Sequence, residues 1–285
     1  MFEFKGRDGT PIAAYRWPPV GTVGGVLQIA HGMGEHARRY ISPLLPLREA
    51  GIAIYANDHR GHGRTAPNAA GLGDFGPGGF AAVVDDMAGL AEIARRENPG
   101  KKLVLLGHSM GSFAAQIFVL AHGGLIDGLV LSGSAALDLL PVSSDPNVSA
   151  LEAFNAPFEP ARTKFDWLSR DPSQVDAYVA DPLCGFSVNA ASMQSLFAAA
   201  APLLAPGALK RVRPDLPIYI FSGDKDPVNG GLAWLKPLVE RYREAGIKDV
   251  TFDFYPDGRH EMLNETNRTE VVTKLKRWIE RVIAR

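Results

Sequence analysis

Gly107-His108-Ser109-Met110-Gly111 sets a serine between two glycines, after a short apolar run and before an apolar, helix-like stretch from Ser112 to His122. A serine hydroxyl attacks a carbonyl carbon only when a base takes its proton. The two glycines permit the strained strand-to-helix turn that pushes such a hydroxyl out at the end of a sheet. The helix behind it points its amino terminus at the place where negative charge develops. Ser109 is therefore the candidate nucleophile of an acyl-transfer centre.

Of the seven histidines (His31, His36, His59, His62, His108, His122 and His260), only His260 follows the last strand-like segment. The loop that carries it belongs beside the nucleophile turn, so His260 is the candidate base. The chain order serine, acid, histidine asks for a carboxylate before it. Gly223-Asp224-Lys225-Asp226-Pro227 supplies two at the end of the penultimate strand. Either Asp224 or Asp226 can orient the imidazole, and the other serves the turn. Ile29-Ala30-His31-Gly32-Met33-Gly34-Glu35-His36 follows the first parallel strand. The main-chain N–H of Met33, with that of Met110, offers a pair of donors for a tetrahedral oxyanion.

These groups need a frame. Residues 1–17 read as a hairpin around Gly6-Arg7-Asp8-Gly9. Short, mostly apolar runs follow at 26–30, 52–56, 103–106 and 129–131, then at 218–221 and 250–254. Runs of this kind are strands buried on both faces, and alternation with helix-like stretches predicts a mostly parallel sheet covered on both sides. The last helix is expected from Asn267, with Glu270 placed for a capping box and Val271, Leu275, Trp278, Ile279 and Val282 on one face. From 135 to 213 the rhythm breaks: there is no strand signal, and at least two short helices are expected. One starts at Asp171-Pro172-Ser173-Gln174, again with capping-box spacing, and the other carries Met193, Leu196, Phe197 and Ala200. Such a segment between two strands is an insert, read as a lid.

Bulk properties exclude other classes. With 46% hydrophobic and 21% charged residues and a formal net charge of −1, nothing draws the chain to nucleic acid. Lys274, Lys276, Arg277 and Arg281 interleave with apolar residues, as on the wet face of a helix. Asp58, His59 and His62 stand in a stretch interspersed with glycines and lack a second ligand cluster, so they read as a loop, and neither a metal nor a cofactor is expected. The single cysteine, Cys184, excludes an intramolecular disulfide and is expected to pack rather than react. No signal-peptide pattern and no membrane-length apolar run is present, which predicts a cytoplasmic protein.

The combination resembles a known family, the monoacylglycerol lipase and lysophospholipase group of the α/β-hydrolases, also grouped with the S33 serine peptidases. His31-Gly32-Met33-Gly34-Glu35-His36 with Arg39-Tyr40, Asp58-His59-Arg60-Gly61-His62-Gly63, the Ser109 motif, Asp181-Pro182-Leu183-Cys184, the Asp226 segment and Arg259-His260-Glu261 carry the resemblance over nearly the whole chain. Thr65 stands where the family usually has serine. The resemblance implies an α/β-hydrolase fold, Asp226 as the triad acid, and a helical cap over an ester pocket. The expected division is a core of residues 1–134 and 214–285 and a cap of 135–213.

Phe154, Phe158, Leu183, Phe186, Met193 and Phe197 are the apolar cap residues expected to line an acyl pocket. The expected partner is a small-molecule acyl ester, with at most transient contact between the cap and a membrane surface. A peptidase or a thioesterase would use the same triad. A binding module without activity would not need a complete one. Asp-dependent hydrolases of this architecture are disfavoured by Ser109.

Overall fold

A computed structural model describes residues 1–140 and 150–285. Eight strands among these residues form one sheet: β1 (Phe2–Lys5), β2 (Pro11–Trp17), β3 (Gly25–Ala30), β4 (Ile52–Asn57), β5 (Leu103–His108), β6 (Gly128–Ser132), β7 (Ile218–Gly223) and β8 (Val250–Tyr255). Their order across the sheet is β1-β2-β4-β3-β5-β6-β7-β8. Only the β1–β2 and β2–β4 pairings are antiparallel. The expected hairpin forms and all six runs are strands, but β8 is not buried on both faces: it is the edge strand, partly exposed, with Phe252 39% exposed.

The helices are α1 (Leu45–Glu49), α2 (Gly79–Glu97), α3 (Met110–His122), α4 (Ala150–Ala153), α5 (Pro172–Ala180), α6 (Ala190–Leu204), α7 (Lys236–Glu244) and α8 (Arg268–Ile283). Strands β3 to β7 are buried at every position, which is why their sequences carry no polar alternation. Period two still sorts their side chains. Leu103 and Leu105 of β5 join a core with Leu90 of α2 and Ala114 and Phe118 of α3. Val104 and Leu106 join the opposite core with Leu275, Trp278 and Ile279 of α8. At about 1.5–3 kcal/mol for each fully buried aliphatic or aromatic side chain, these two layers hold the sheet between helices. The fold is that of the α/β-hydrolases.

Two capping boxes expected from spacing do not form. Asp171 caps α5 by accepting from Ser173 N at 3.0 Å, but its own N–H donates to Ser169 Oγ rather than to Gln174. At α8, Asn267 Oδ1 is taken by the Arg170 guanidinium, 3.4 Å away, and makes no cap. At α5 a serine two residues back takes the N–H, and at α8 an arginine of the insert takes the amide oxygen. Thr65 keeps a hydroxyl's work: Oγ1 accepts from Ala13 N and donates to Asp58 O.

Between β6 and β7 the described residues hold α4, α5, α6 and 3-10 turns, with no strand. Residues 141–149 of the expected insert lie outside the described residues. Helix α6 packs on α2 and α3 of the body, and Ser192 Oγ and Ser195 Oγ accept the N–H groups of Phe75 and Phe80.

Candidate active site

Parallel strands end on one edge of the sheet, and that edge collects the chemistry. Ser109 follows β5 in the left-handed region, at φ 51° and ψ −123°. A non-glycine residue there is strained and is held by its surroundings. Gly107 and Gly111 make the turn possible. A Cβ on Gly107 would lie 2.4 Å from Gly111 O, and one on Gly111 would lie 2.1 Å from Ala30 O. Helix α3 begins at Met110, two residues earlier than its apolar pattern indicates.

His260 lies beyond β8, with its ring 4.7 Å from that of His108 and 4.9 Å from that of Trp167. Its Nδ1–H faces both oxygens of Asp226, at 2.9 and 3.0 Å. The pair is 1% and 0% exposed. Asp226 also accepts from Ser222 Oγ, Val228 N and Asn229 Nδ2, so the carboxylate is fixed before it orients the imidazole. Asp224, the other candidate, instead accepts from Asp257 N at 2.8 Å and shapes a partly exposed turn.

The loop after β3 is tied at nearly every peptide group. Gly32 N donates to Glu35 Oε1 at 2.5 Å, and Gly34 N donates to His62 Nε2 at 3.2 Å. Gly32 O accepts from His31 Nδ1. Gly34 O accepts twice from the insert, from Tyr178 Oη at 2.8 Å and Gly185 N at 2.9 Å. The N–H of Met33 is passed over, and neither it nor that of Met110 has a protein acceptor among the described residues. Free amides beside a nucleophile turn are what an oxyanion requires.

Three buried imidazoles stand behind this loop. His31 Nε2 accepts from His59 N, and His62 Nδ1 faces Arg60 O. The partners assign both His31 and His62 as the neutral Nδ1–H tautomer. Burial, reinforced by the neighbouring imidazoles, holds His31 well below its ordinary value and lowers His59 to about 3. Burial lowers His62 to about 4. The Asp58 carboxylate is filled by Tyr15 Oη, Ala37 N and Arg64 N, so Asp58 and His62 act as loop anchors.

A second network, not assigned from the sequence, underlies the site. Arg39 donates to Glu35 at 2.7 Å and clasps Glu261 through two bonds of 2.6 and 2.8 Å. Arg39 and Glu261 hold each other charged: the carboxylates raise the guanidinium well above its ordinary value, while Arg39 lowers Glu261 to about 2 against the opposing effect of burial. Glu35 precedes this arginine by four residues and Glu261 directly follows His260, so one guanidinium joins the two loops. The i, i+4 spacing of Glu35 and Arg39 was the available signal.

Ser109, Met33, His108 and His260 line one cavity of about 10 Å³ with Gly32, Glu35, Glu261 and, from the insert, Trp167, Leu168 and Tyr178. That is about the room of one water. The six apolar insert residues expected at a pocket lie elsewhere and do not line this cavity. Phe154 packs on Trp167 at 5.1 Å, Phe158 sits under the Arg259 guanidinium at 4.3 Å, and Phe186 meets the His62 ring at 5.0 Å. Met193 and Phe197 pack against the main core, and Leu183 lines a separate cleft with His36 and Asp181. Cys184 is partly buried, and burial pushes its thiol far above the ordinary range. No helix among the described residues is long and apolar enough to cross a membrane.

The family model for serine aminopeptidase, S33, matches residues 21–267. A monoacylglycerol lipase of Mycolicibacterium smegmatis is 32% identical over 97% of this chain and 95% of its own length. A monoglyceride lipase of Mus musculus is 27% identical over 97% of this chain and 89% of its own. The crystal structure of a highly thermostable carboxyl esterase from Bacillus coagulans, in complex with glycerol, superposes with a TM-score of 0.88 at 29% identity, covering 99% of this chain and 98% of that one. The chain belongs to the serine aminopeptidase S33 family of α/β-hydrolases.

Proposed function

We propose that this chain cleaves acyl esters of the monoacylglycerol or lysophospholipid type through an acyl-enzyme on Ser109. The chain is a carboxylic ester hydrolase, as the monoacylglycerol lipase and carboxyl esterase among its relatives support. The observation that carries the assignment of residues is the buried His260–Asp226 pair, at a cavity that also holds Ser109 and Met33.

In the proposed sequence Ser109 Oγ attacks the ester carbonyl carbon while His260 Nε2 takes its proton. Asp226 keeps the remaining proton on Nδ1 and stabilises the imidazolium. The carbonyl oxygen, now negative, accepts from the N–H groups of Met33 and Met110. Collapse expels the alcohol, which receives the proton from His260, and a water repeats the steps to release the acid.

The insert, 135–213, is the proposed cap. Trp167, Leu168 and Tyr178 already cover the serine, and a cavity with room for about one water admits an acyl chain only if the cap shifts. Phe154, Phe158, Leu183, Phe186, Met193 and Phe197 would then be the apolar supply for a pocket opened by that shift. Val179 and Leu204, 51% and 54% exposed, give this segment apolar points for transient contact with a lipid surface. A cytoplasmic location agrees with the lone thiol.

The test is a panel of esters of one alcohol with acetyl, butyryl, octanoyl and palmitoyl chains, beside a lysophospholipid, an acyl-CoA and a prolyl amide. The expected result is kcat/KM that climbs with chain length to a cutoff, since each buried CH₂ contributes about 0.8 kcal/mol. A strict acetyl preference, or a prolyl amide cleaved faster than any ester, would overturn the lipid-ester assignment.

A further inference from the structure

His36, two residues beyond Gly34, is 7% exposed. Its Nε2 meets Asp181 Oδ2 of the insert at 3.0 Å. Cys184 follows three residues after Asp181, and its N–H donates to Asp181 O. The other Asp181 oxygen accepts from Leu183 N at 2.9 Å, which leaves Oδ2 directed at the imidazole. The His36 nitrogen, an Asp181 oxygen and Cys184 Sγ all lie within 4.8 Å of one another. Beside them a cleft of about 380 Å³, lined by His36, Asp181, Leu183, Arg38 and Arg64, opens to solvent.

One nitrogen, one carboxylate oxygen and one sulfur beside an open cleft is a donor set for a borderline-soft divalent ion. Zinc binds nitrogen and oxygen at about 2.0–2.2 Å and thiolate at about 2.3 Å, which puts tetrahedral ligand atoms about 3.3–3.8 Å apart. The widest pair must draw together by about 1 Å, a rotamer adjustment open to the partly exposed Asp181 and Cys184.

We propose that His36, Asp181 and Cys184 bind Zn²⁺ or a similar thiophilic divalent cation, and that the bound ion clasps the insert to the loop carrying Met33. On binding, the Cys184 thiol gives its proton to solvent, because a coordinating thiol is deprotonated by the ion. His36 keeps one proton, now on Nδ1, and offers Nε2. Water fills the fourth position. The ion needs no oxidant or reductant.

The consequence follows from where the clasp sits. Gly34 O already accepts from Tyr178 and Gly185 of the insert, and Gly185 adjoins Cys184. A metal adds a bond of ionic strength to the same seam. If the insert is a cap that must move, as proposed above, a loaded site slows turnover. The inhibition rests on that assignment, whereas the binding does not.

The full chain is titrated with Co²⁺ as a spectroscopic probe and with Zn²⁺ by calorimetry, alongside Cys184→Ser and His36→Gln. Thermal melting establishes that both variants fold. The expected result is one ion per chain, a thiolate-to-cobalt charge-transfer band absent from Cys184→Ser, and Zn²⁺ affinity at least about tenfold weaker in either variant. Zn²⁺ should also slow ester hydrolysis by the wild type, reversibly on addition of EDTA, and spare Cys184→Ser. No band in the wild type, or equal Zn²⁺ affinity in all three proteins, would overturn the site. Binding at the site without any loss of rate would overturn the clasp. The cobalt spectrum reads the site even in a chain that cleaves no ester, so failure of the proposed activity is separable from failure of this one.

Discussion

Glu35 Oε1 accepts the Gly32 N–H at 2.5 Å, and this bond fixes the His31–Gly32 peptide, one before the peptide that carries the Met33 N–H. The same oxygen accepts from Tyr40 Oη, while Oε2 faces Arg39. A carboxylate buried among these donors is a positioning group for the loop. Glu35→Gln keeps the shape and removes the charge. Hydrogen bonds to charged groups are worth about 1.5–3 kcal/mol, so kcat should fall about tenfold to a hundredfold with KM changed much less. Steady-state kinetics on one ester checks this, and an unchanged kcat would show that the loop holds itself.

Asp226→Asn should cost far more rate than Asp224→Asn. Asparagine at 226 can present an N–H to His260 Nδ1 and favour the wrong tautomer, a loss on the order of 10⁴ in kcat where it has been dissected. Among the described residues the Asp224 carboxylate meets Asp257 N and its neighbour Lys225, so its replacement should change kcat by less than about threefold. A larger effect at 224 than at 226 would reverse the assignment.

The proposed donor at position 33 is main chain, so Met33→Leu should retain most of the rate. Met33→Pro deletes the N–H, a loss of about 3–4 kcal/mol if it meets the oxyanion. Circular dichroism first establishes that the proline variant is folded. Equal rates for the two folded variants would remove Met33 from the oxyanion site.

Acid should unfold this protein early. Burial lowers His59 to about 3 and His62 to about 4, and burial with the nearby His260 lowers His108 to about 4. In the unfolded chain each takes a proton near pH 6.5. Below that value the unfolded state binds more protons, so the stability these groups contribute is complete above about pH 6.5 and declines toward pH 4. Each contributes a slope of up to about 1.4 kcal/mol per pH unit. Protonated His62 would also set an N–H against the Gly34 N–H that it now accepts. Urea midpoints at pH 7.5, 6 and 5 should fall stepwise. A flat series would mean that the imidazoles charge without cost in the folded state.

What the residues alone revealed follows from what is local. Strands buried on both faces leave mostly apolar runs, so the sheet was legible from β3 to β7, while β8, an edge strand, shows Val250, Phe252 and Phe254 alternating with Thr251 and Asp253. The turn at Ser109 was legible because Gly107 and Gly111 each face backbone too closely for a Cβ. The choice between Asp224 and Asp226 was not local. Both follow β7, and only the packing of Asn229, Ser222 and His260 around one of them separates the pair. The insert was least legible. Trp167 lies in a 3-10 turn with no periodicity to mark its face, yet it covers His260, while Met193 and Phe197, which show a clean helical stripe, use it to pack on the body. The two unformed capping boxes fail because other partners take the polar groups: Ser169, two residues back, takes the Asp171 N–H, and Arg170, far off in the chain, takes Asn267 Oδ1.

The claim that Ser109 is the nucleophile is tested most directly by a fluorophosphonate probe, which phosphonylates an activated serine, followed by intact-mass and peptide mapping. One adduct per chain is expected on the peptide containing Ser109, formed slowly in Asp226→Asn and absent from Ser109→Ala. A wild-type chain that stays unlabelled while folded, or an adduct mapped to any other residue, would contradict the account.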